Sequence, residues 1–425
     1  MAATLTRFAV NHTQVPGRPK ESWPGREGPW AVASGRGDGR EALVRRARAI
    51  APLIEAQADT VEAEARITRA VHEALVDAKL IWLPLPAAYG GADADMASCI
   101  EVVEEISRAD GSTGWSFFVN LATFSGLFPF LSDETLALLY ADGPPVCAGQ
   151  LVPVGAAEAA EGGLRCSGRH GFASGSAFAG WICAMQVRHE AGSPMMKPDG
   201  TPRTSIALLR RDEVEFQDNW DVMGLAGTAS HDFQVPEQVV PWSRLVDGDI
   251  LLPGAVPLRG SATLRMGPLA TAYAMHSACV LGIAKRAIQE VAVLACSKTR
   301  AGYDGPIAQD PVFLNAFAHV DAEYHAARGR LLEVFALAEA KVAAGAALAP
   351  ADFEVMRQTA TWVHGKAGET VATCFRWAGT TPVRHPSALG RCMRDVLVAN
   401  SHMLFDPKSL TGAGATLVES WASGR

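Results

Sequence analysis

The chain is 425 residues long, 48% hydrophobic and 20% charged, the balance of a globular protein large enough for two or three domains. Its 38 basic and 45 acidic side chains leave a net charge of -7, which argues against a nucleic-acid-binding surface. No apolar run reaches the roughly 18 residues that a membrane-crossing helix requires. The opening MAATLTRFAVNHTQ lacks the apolar core of a secretion signal, so export is not expected. Eight cysteines, none in a C-x-x-C pair, support neither a zinc site nor a disulfide framework, and the cytoplasm is the expected compartment.

Residues 1–39, rich in Pro, Gly, Arg and Ser, show no sustained periodicity and read as a flexible arm. From 40 to 143 the pattern is helical. Ala42 to Leu80 fits helices that end in KLIWLPLPAAYGG; the run MASCIEVVEEISRADGSTGWSFFVNLATFSGLF follows, then SDETLALLYADG with a helix start at Ser132 and Glu134. From 144 to 248 the texture changes to short strands (VCAGQLVP, LRCSGRHGFASG, WICAMQV, TSIALLRR, VEFQDNW), which predict a compact β-barrel or sandwich.

Residues 249–425 return to helix. Leu269, Tyr273, His276, Val280, Ile283, Ala287, Val291 and Leu294 step by three and four. So do Phe313 to Ala338 and Phe353 to Cys374; with a shorter helix from Ala388 to His402 they predict a four-helix bundle. The first of these helices carries small residues on more than one face, which predicts burial on several sides and an oligomer interface.

The most informative stretch is WDVMGLAGTASHDFQVPEQVVP, Trp220 to Pro241. A Gly-Thr-Ala-Ser turn is expected between an aromatic-led strand and a Phe-Val strand. Gly224 and Gly227 would let the backbone approach a flat ligand, with the hydroxyls of Thr228 and Ser230 beside it. An ordinary hairpin turn explains the same composition.

This segment resembles the W-x-x-x-G-x-x-x-T-x-S signature of the acyl-CoA dehydrogenase fold. Four further marks stand in the expected order: Tyr89-Gly90-Gly91, the Asp110 to Trp115 helix start, Phe172-Ala-Ser-Gly175, and Arg394-Asp395. The resemblance spans roughly residues 40–415. It implies an α+β, mostly α, architecture: N-terminal helical domain, central β-domain, C-terminal four-helix bundle.

The fold hosts two chemistries. A dehydrogenase needs a carboxylate to remove a proton α to a thioester, usually in an E-G-T tripeptide about eight residues beyond the Arg-Asp pair. Met403 stands there instead, no E-G-T occurs, and residues 251–289 contain no Asp or Glu; Asp406 comes too late. His402 occupies this region. In the flavin monooxygenases of this fold a His so placed lies over the flavin, as base on the substrate or partner of the peroxide. A lone helix-terminal His that satisfies a carbonyl is the plainer alternative.

The resemblance implies a two-component flavin-dependent monooxygenase, similar to p-hydroxyphenylacetate and dibenzothiophene oxygenases. Such an enzyme takes reduced flavin (FMNH2 or FADH2) from a separate NAD(P)H-dependent reductase and oxygenates an aromatic or polycyclic molecule with O2 through a C4a-hydroperoxyflavin. Ser174 resembles the serine on flavin N5, and the resemblance implies that Trp220, Thr228 and Ser230 line the flavin. Gln150 stands where related oxygenases carry Ser or Asn, and Asn120 where a substrate-contacting His is common. Trp115, with Phe117, Phe118 and Phe124, suggests an aromatic pocket wall, although such spacing also suits core. Arg300 resembles the Arg that reaches a flavin phosphate across a subunit boundary, within a homotetramer. An acyl-CoA dehydrogenase-like FAD oxidoreductase and a non-catalytic flavin-fold scaffold remain as alternatives.

Overall fold

The structure, a computed structural model, describes residues 39–424; the predicted N-terminal arm, apart from Gly39, lies outside them. Five helices come first: α1 (Arg40–Ala63), α2 (Arg69–Asp77), α3 (Met96–Ala109), α4 (Gly111–Leu127) and α5 (Asp133–Leu139). Polar caps set the starts of α2 to α5, as the sequence pattern implies, whereas α1 begins after Gly39 without a side-chain cap. The Asp110 carboxylate accepts the Thr113 N–H at 2.8 Å to open α4, and Ser132 accepts the Thr135 N–H at 3.1 Å to open α5. Helix α4 is buried almost all round, with Trp115, Phe117, Phe118, Leu121 and Phe124 inside.

The strands are β1 (Cys147–Ala160), β2 (Gly163–His170), β3 (Trp181–Glu190), β4 (Ser193–Pro194), β5 (Thr204–Arg210), β6 (Glu215–Phe216), β7 (Phe233–Pro241) and β8 (Leu245–Asp247). They make one eight-stranded sheet in the order β6-β7-β2-β1-β3-β5-β8, with β4 beside β3. Only the β1–β3 pair is parallel, and its register shifts between Gln150 and Gly155. Both faces of the central strands are buried. Cys183, Ile206 and Leu208 join the core shared with the helices, while the alternate residues Ile182, Ala207 and Leu209 pack with Leu164, Phe233 and Val235 in a second core. That second core draws strands from across the sheet together.

The expected strand led by Trp220 does not form. Strand β6 ends at Phe216, and 217–232 is an irregular loop with positive φ at Asp218, Leu225 and Ala229. Side chains replace the ladder there. Asn219 accepts the Asp232 N–H at 3.0 Å and donates to the Asp232 carboxylate at 3.0 Å, and His231 Nδ1 accepts the Trp220 N–H at 3.2 Å.

The C-terminal domain contains α6 (Ala262–Arg265), α7 (Pro268–Ser297), α8 (Pro311–Ala343), α9 (Pro350–Ala378), α10 (Ala388–Ala399) and α11 (Leu410–Ala422). Helices α7, α8 and α9 each begin with proline, whose missing N–H costs nothing at that position. The stripe Phe353, Met356, Ala360, Val363, Ala367, Val371 and Cys374 on α9 is wholly buried. Helix α11 lies beyond the four helices that the spacing predicts and packs on α9.

The small residues of α7 are used differently from the sequence expectation. They are buried within the protomer, against α3, α4, α9 and α10. A Cβ on Gly282 would lie 2.4 Å from the Glu104 carbonyl, so this glycine sets the close α3–α7 approach. The small-residue faces therefore do not by themselves call for a second subunit. No described helix is long and apolar enough to cross a membrane.

A buried charge network locks α3 to α8. The Glu104 carboxylate accepts from the Tyr324 hydroxyl and, at 2.8 Å, from Arg328 Nε; Arg328 also meets Glu101. Truncating one member of such a network strands the other charge, typically at about 3–5 kcal/mol. Glu104→Ala is therefore expected to lower unfolding free energy by about 3 kcal/mol in denaturant titration. A loss within 0.5 kcal/mol would show that the network does not hold the two domains.

Candidate active site

The loop between β6 and β7, α4, and the segment after α10 converge, and a chain of hydroxyls runs through the junction. Thr228 Oγ1 donates to the Leu225 carbonyl at 2.7 Å and lies 2.6 Å from Ser230 Oγ, which lies 2.6 Å from Ser174 Oγ. Trp115 Nε1 donates to Ser174 Oγ at 3.3 Å. Each hydroxyl has one proton, so the direction is fixed. Thr228 gives its proton to Leu225, Ser230 gives to Thr228, and Ser174 gives to Ser230. Ser174 thus ends the row with a lone pair to offer.

The loop is held from behind. The Asp395 carboxylate on α10 accepts the Leu225 N–H at 2.6 Å, and Gly227 N–H donates to Ser112 Oγ at 3.2 Å. A Cβ on Gly224 would fall 2.2 Å from the Arg394 carbonyl, and one on Gly227 2.1 Å from a Val61 methyl. These two glycines let the loop meet α10 and α1; the expected close approach to a flat ligand is not what the backbone at these positions serves. Burial, then the nearby Asp110, pushes the Asp395 carboxyl up to about 7. Asp110 pairs with Arg391 Nε at 3.3 Å. Both carboxylates are taken up in the framework. Asp406 is exposed and caps the following turn through the Lys408 N–H at 2.8 Å.

On the other side of Trp115 lies a cluster of imidazoles. The Trp115 ring meets His276 at 5.0 Å and His402 at 6.0 Å; His276 and His402 are 4.6 Å apart. Phe405 completes the cluster and stacks on His364 at 3.6 Å. His364 Nδ1 donates to Asn400 Oδ1 at 3.0 Å, and Asn400 Nδ2 donates back to the His364 carbonyl at 3.1 Å. This pair fixes the chain just before His402. Burial lowers His402 to about 4 and His364 to about 3, and holds His276 well below its ordinary value.

The remaining sequence candidates fall as follows. Trp220 Nε1 donates to the Leu225 carbonyl at 3.3 Å, and its ring meets the exposed Phe172 edge-on at 6.0 Å. Gln150 Oε1 accepts the Gly171 N–H at 3.3 Å, just upstream of Ser174. Asn120 is buried, with Nδ2 donating to the Cys147 and Gly175 carbonyls at 3.0 and 3.1 Å, so it ties α4 to β1 and to the Phe172–Gly175 turn. Arg300 stands apart: its guanidinium caps the end of α9 at the Arg376 carbonyl (2.9 Å) and the Trp377 carbonyl, over the Trp377 ring. The sequence reading missed His276, His364 and Phe405. The one signal for His276 was an imidazole on the otherwise apolar stripe of α7.

Residues 38–135 match the acyl-CoA dehydrogenase N-terminal domain, and 274–407 match the acyl-CoA dehydrogenase C-terminal domain. The indole-3-acetate monooxygenase of Pseudomonas putida is 29% identical over 87% of this chain and 94% of its own. The oxygenase component of the FADH(2)-dependent resorcinol hydroxylase of Rhizobium sp. (strain MTP-10005) is 31% identical over 48% of each chain. The crystal structure of the HsaA monooxygenase from M. tuberculosis superposes with a TM-score of 0.80 at 21% identity, covering 91% of this chain and 97% of that one. The fold and the two domain matches place the chain in the acyl-CoA dehydrogenase family. Within that family, the relatives it resembles are flavin-dependent monooxygenases.

The neutral buried histidines predict an acid limit to stability. Burial also lowers His72 and His170 to about 4. A histidine whose folded pKa lies below its unfolded value of about 6.5 adds stability that is complete above that pH. It is lost as pH falls from about 6.5 toward 4, because the unfolded chain binds the proton first. Melting temperature is expected to fall steadily below pH 6.5, and His364→Gln to make the fall shallower. An equally steep fall in the variant would mean that His364 does not contribute.

Proposed function

We propose that the protein is the oxygenase component of a two-component system. It takes reduced flavin, FMNH2 or FADH2, from a separate NAD(P)H-dependent reductase and oxygenates an aromatic or polycyclic small molecule with O2 in the cytoplasm. The observation that carries this reading is the position of Trp115, with its indole N–H on the Ser174 end of the hydroxyl row and its ring against His276 and His402. One tryptophan joins a polar edge suited to a flavin ring to an aromatic, imidazole-bearing cluster suited to meet a substrate.

The residues fit a reduced flavin on chemical grounds. Because Thr228 fixes the direction of the row, Ser174 offers a lone pair, which suits the N–H that the central ring of a reduced flavin carries. The ring nitrogen of oxidised flavin, an acceptor, would find no proton there. Trp220 and Phe172 give apolar flanks, and the Gln150 Nε2 group is a further donor close by. When bound, reduced flavin supplies the electrons by which one oxygen atom of O2 is passed to the substrate. Ser174 holds the reduced ring, the aromatic walls exclude water, and His402 with His276 handles the proton of a hydroxyl or ring N–H. The dehydrogenase reading lacks its base, since Asp395 and Asp110 are bound in the framework and Asp406 is on the surface.

Ser174→Ala tests this reading. The variant is expected to bind reduced flavin about fivefold more weakly, the worth of about 1 kcal/mol for one hydrogen bond. Its preference for reduced over oxidised flavin should narrow, and hydrogen peroxide released per oxygen consumed should rise. Unchanged affinity and unchanged coupling together would remove Ser174 from the flavin site.

The active assembly in this reading is a homotetramer. Support comes from large exposed apolar side chains on the bundle, Val293, Val312, Leu314 and Leu337, with Val418 and Trp421 on α11. Arg300 would then serve a neighbouring subunit's flavin phosphate by leaving its place at the end of α9. Light scattering at micromolar concentration is expected to give four times the mass of one chain; a monomer would overturn both claims.

A further inference from the structure

The two imidazoles against Trp115 are in different tautomers, and this divides their work. His276 Nδ1 lies 2.8 Å from the Ala272 carbonyl one turn back on α7, and a carbonyl can only accept. The Nδ1 nitrogen therefore carries the proton, and Nε2 is a lone pair to which no described residue donates. His402 is the reverse. Its Nδ1 accepts the Leu404 N–H at 3.4 Å, so the neutral ring keeps its proton on Nε2. One ring presents an acceptor and the other a donor, with centroids 4.6 Å apart.

The surroundings of His276 favour a planar guest. Phe118 lies at 4.5 Å, Trp115 at 5.0 Å and Phe405 at 5.4 Å, and 8% of the residue's surface remains accessible. The titratable groups that face it are His402, on the segment after α10, and His364 on α9; α4 contributes Trp115 and Phe118, which carry no charge. Among the described residues, no carboxylate acts on His276.

We propose that His276 is the catalytic base of the site, and that His402 is its hydrogen-bond donor. The proposal rests on the oxygenase reading. An aromatic substrate binds beside the pair, with its hydroxyl within reach of both rings. The substrate O–H bond breaks, the proton passes to His276 Nε2, and the electron pair stays on the oxygen, which makes the ring richer in electrons for oxygen transfer. His402 Nε2–H donates to the anionic oxygen or to the oxygen being transferred. Burial keeps His276 neutral, and so able to accept, until the phenolate forms beside the new imidazolium and stabilises it. The bond from Nδ1 to Ala272 holds the ring in the accepting tautomer and strengthens the base.

The test uses 4-nitrophenol, whose absorbance reports whether it is phenol or phenolate, with the purified 425-residue chain. Bound to the parent protein, it is expected to ionise at a lower pH than in free solution, by about tenfold in its acid constant. In His276→Gln the bound probe should stay phenol, because an amide cannot take a proton. In His402→Gln, which keeps a donor, phenolate should still form. His276→Phe, which retains the ring packing, guards against a folding effect and should behave as His276→Gln at a parent-like melting temperature. Loss of phenolate in His402→Gln with retention in His276→Gln would overturn the assignment, as would equal effects of the two or failure of the parent to bind the probe. Reduced-flavin binding and oxygen uptake, measured on the same samples, report separately on the oxygenase reading: if the parent shows neither, that reading fails whatever the probe does.

Discussion

The site depends on one buried contact, the hydrogen bond from the Leu225 N–H to the Asp395 carboxylate at 2.6 Å. Leu225 also supplies the carbonyl on which the hydroxyl row ends, so the position of Asp395 on α10 sets where Thr228, Ser230 and Ser174 stand. Asp395 is in turn held in a region of dense charge, where Arg391 reaches Asp59 at 2.7 Å and Asp110 at 3.3 Å. Through Asp110, which caps α4, the same region fixes the helix that carries Trp115. Helices α1, α4 and α10 and the β-domain loop are thereby tied at one point. Carboxylates so deeply buried are costly unless hydrogen-bonded and paired, so the arrangement is rigid or it fails.

Two kinds of polarity meet on that frame. The hydroxyl row has a direction, set at its Thr228 end, and the imidazoles have tautomers, set by the Ala272 carbonyl and the Leu404 N–H. Neither needs a charged group. Burial holds the histidines neutral, so the cluster can offer donors and acceptors without fixed charge. Such an environment suits a neutral aromatic guest and a reaction in which charge appears only transiently.

The remaining framework is organised around the same junction. Helix α7 is buried within the protomer along most of its length, which fixes His276 against α4. The His364–Asn400 pair clamps α9 to the end of α10 and so sets the approach of His402. Asn120, placed on α4 between β1 and the Phe172–Gly175 turn, holds the Ser174 turn against the helix that carries Trp115.

The sequence by itself determined the order of domains, the helix faces and the helix starts, because these follow from local rules. Three- and four-residue spacing marks the stripe of α9, and a polar cap before an apolar run marks Asp110 and Ser132. Resemblance to a family, rather than a local rule, singled out Ser174, Thr228, Ser230 and His402 as candidates. Only the tertiary structure decided how these were used. Gly224 and Gly227 serve helix contacts because α10 and α1 happen to lie there. His276 is a buried stripe residue by spacing, yet its neighbour His402 is 126 positions away in the chain and its aromatic walls come from α4 and the segment after α10. Side-chain direction, tautomer and the end of a hydrogen-bond row are set by contacts between distant segments, and no local pattern encodes them.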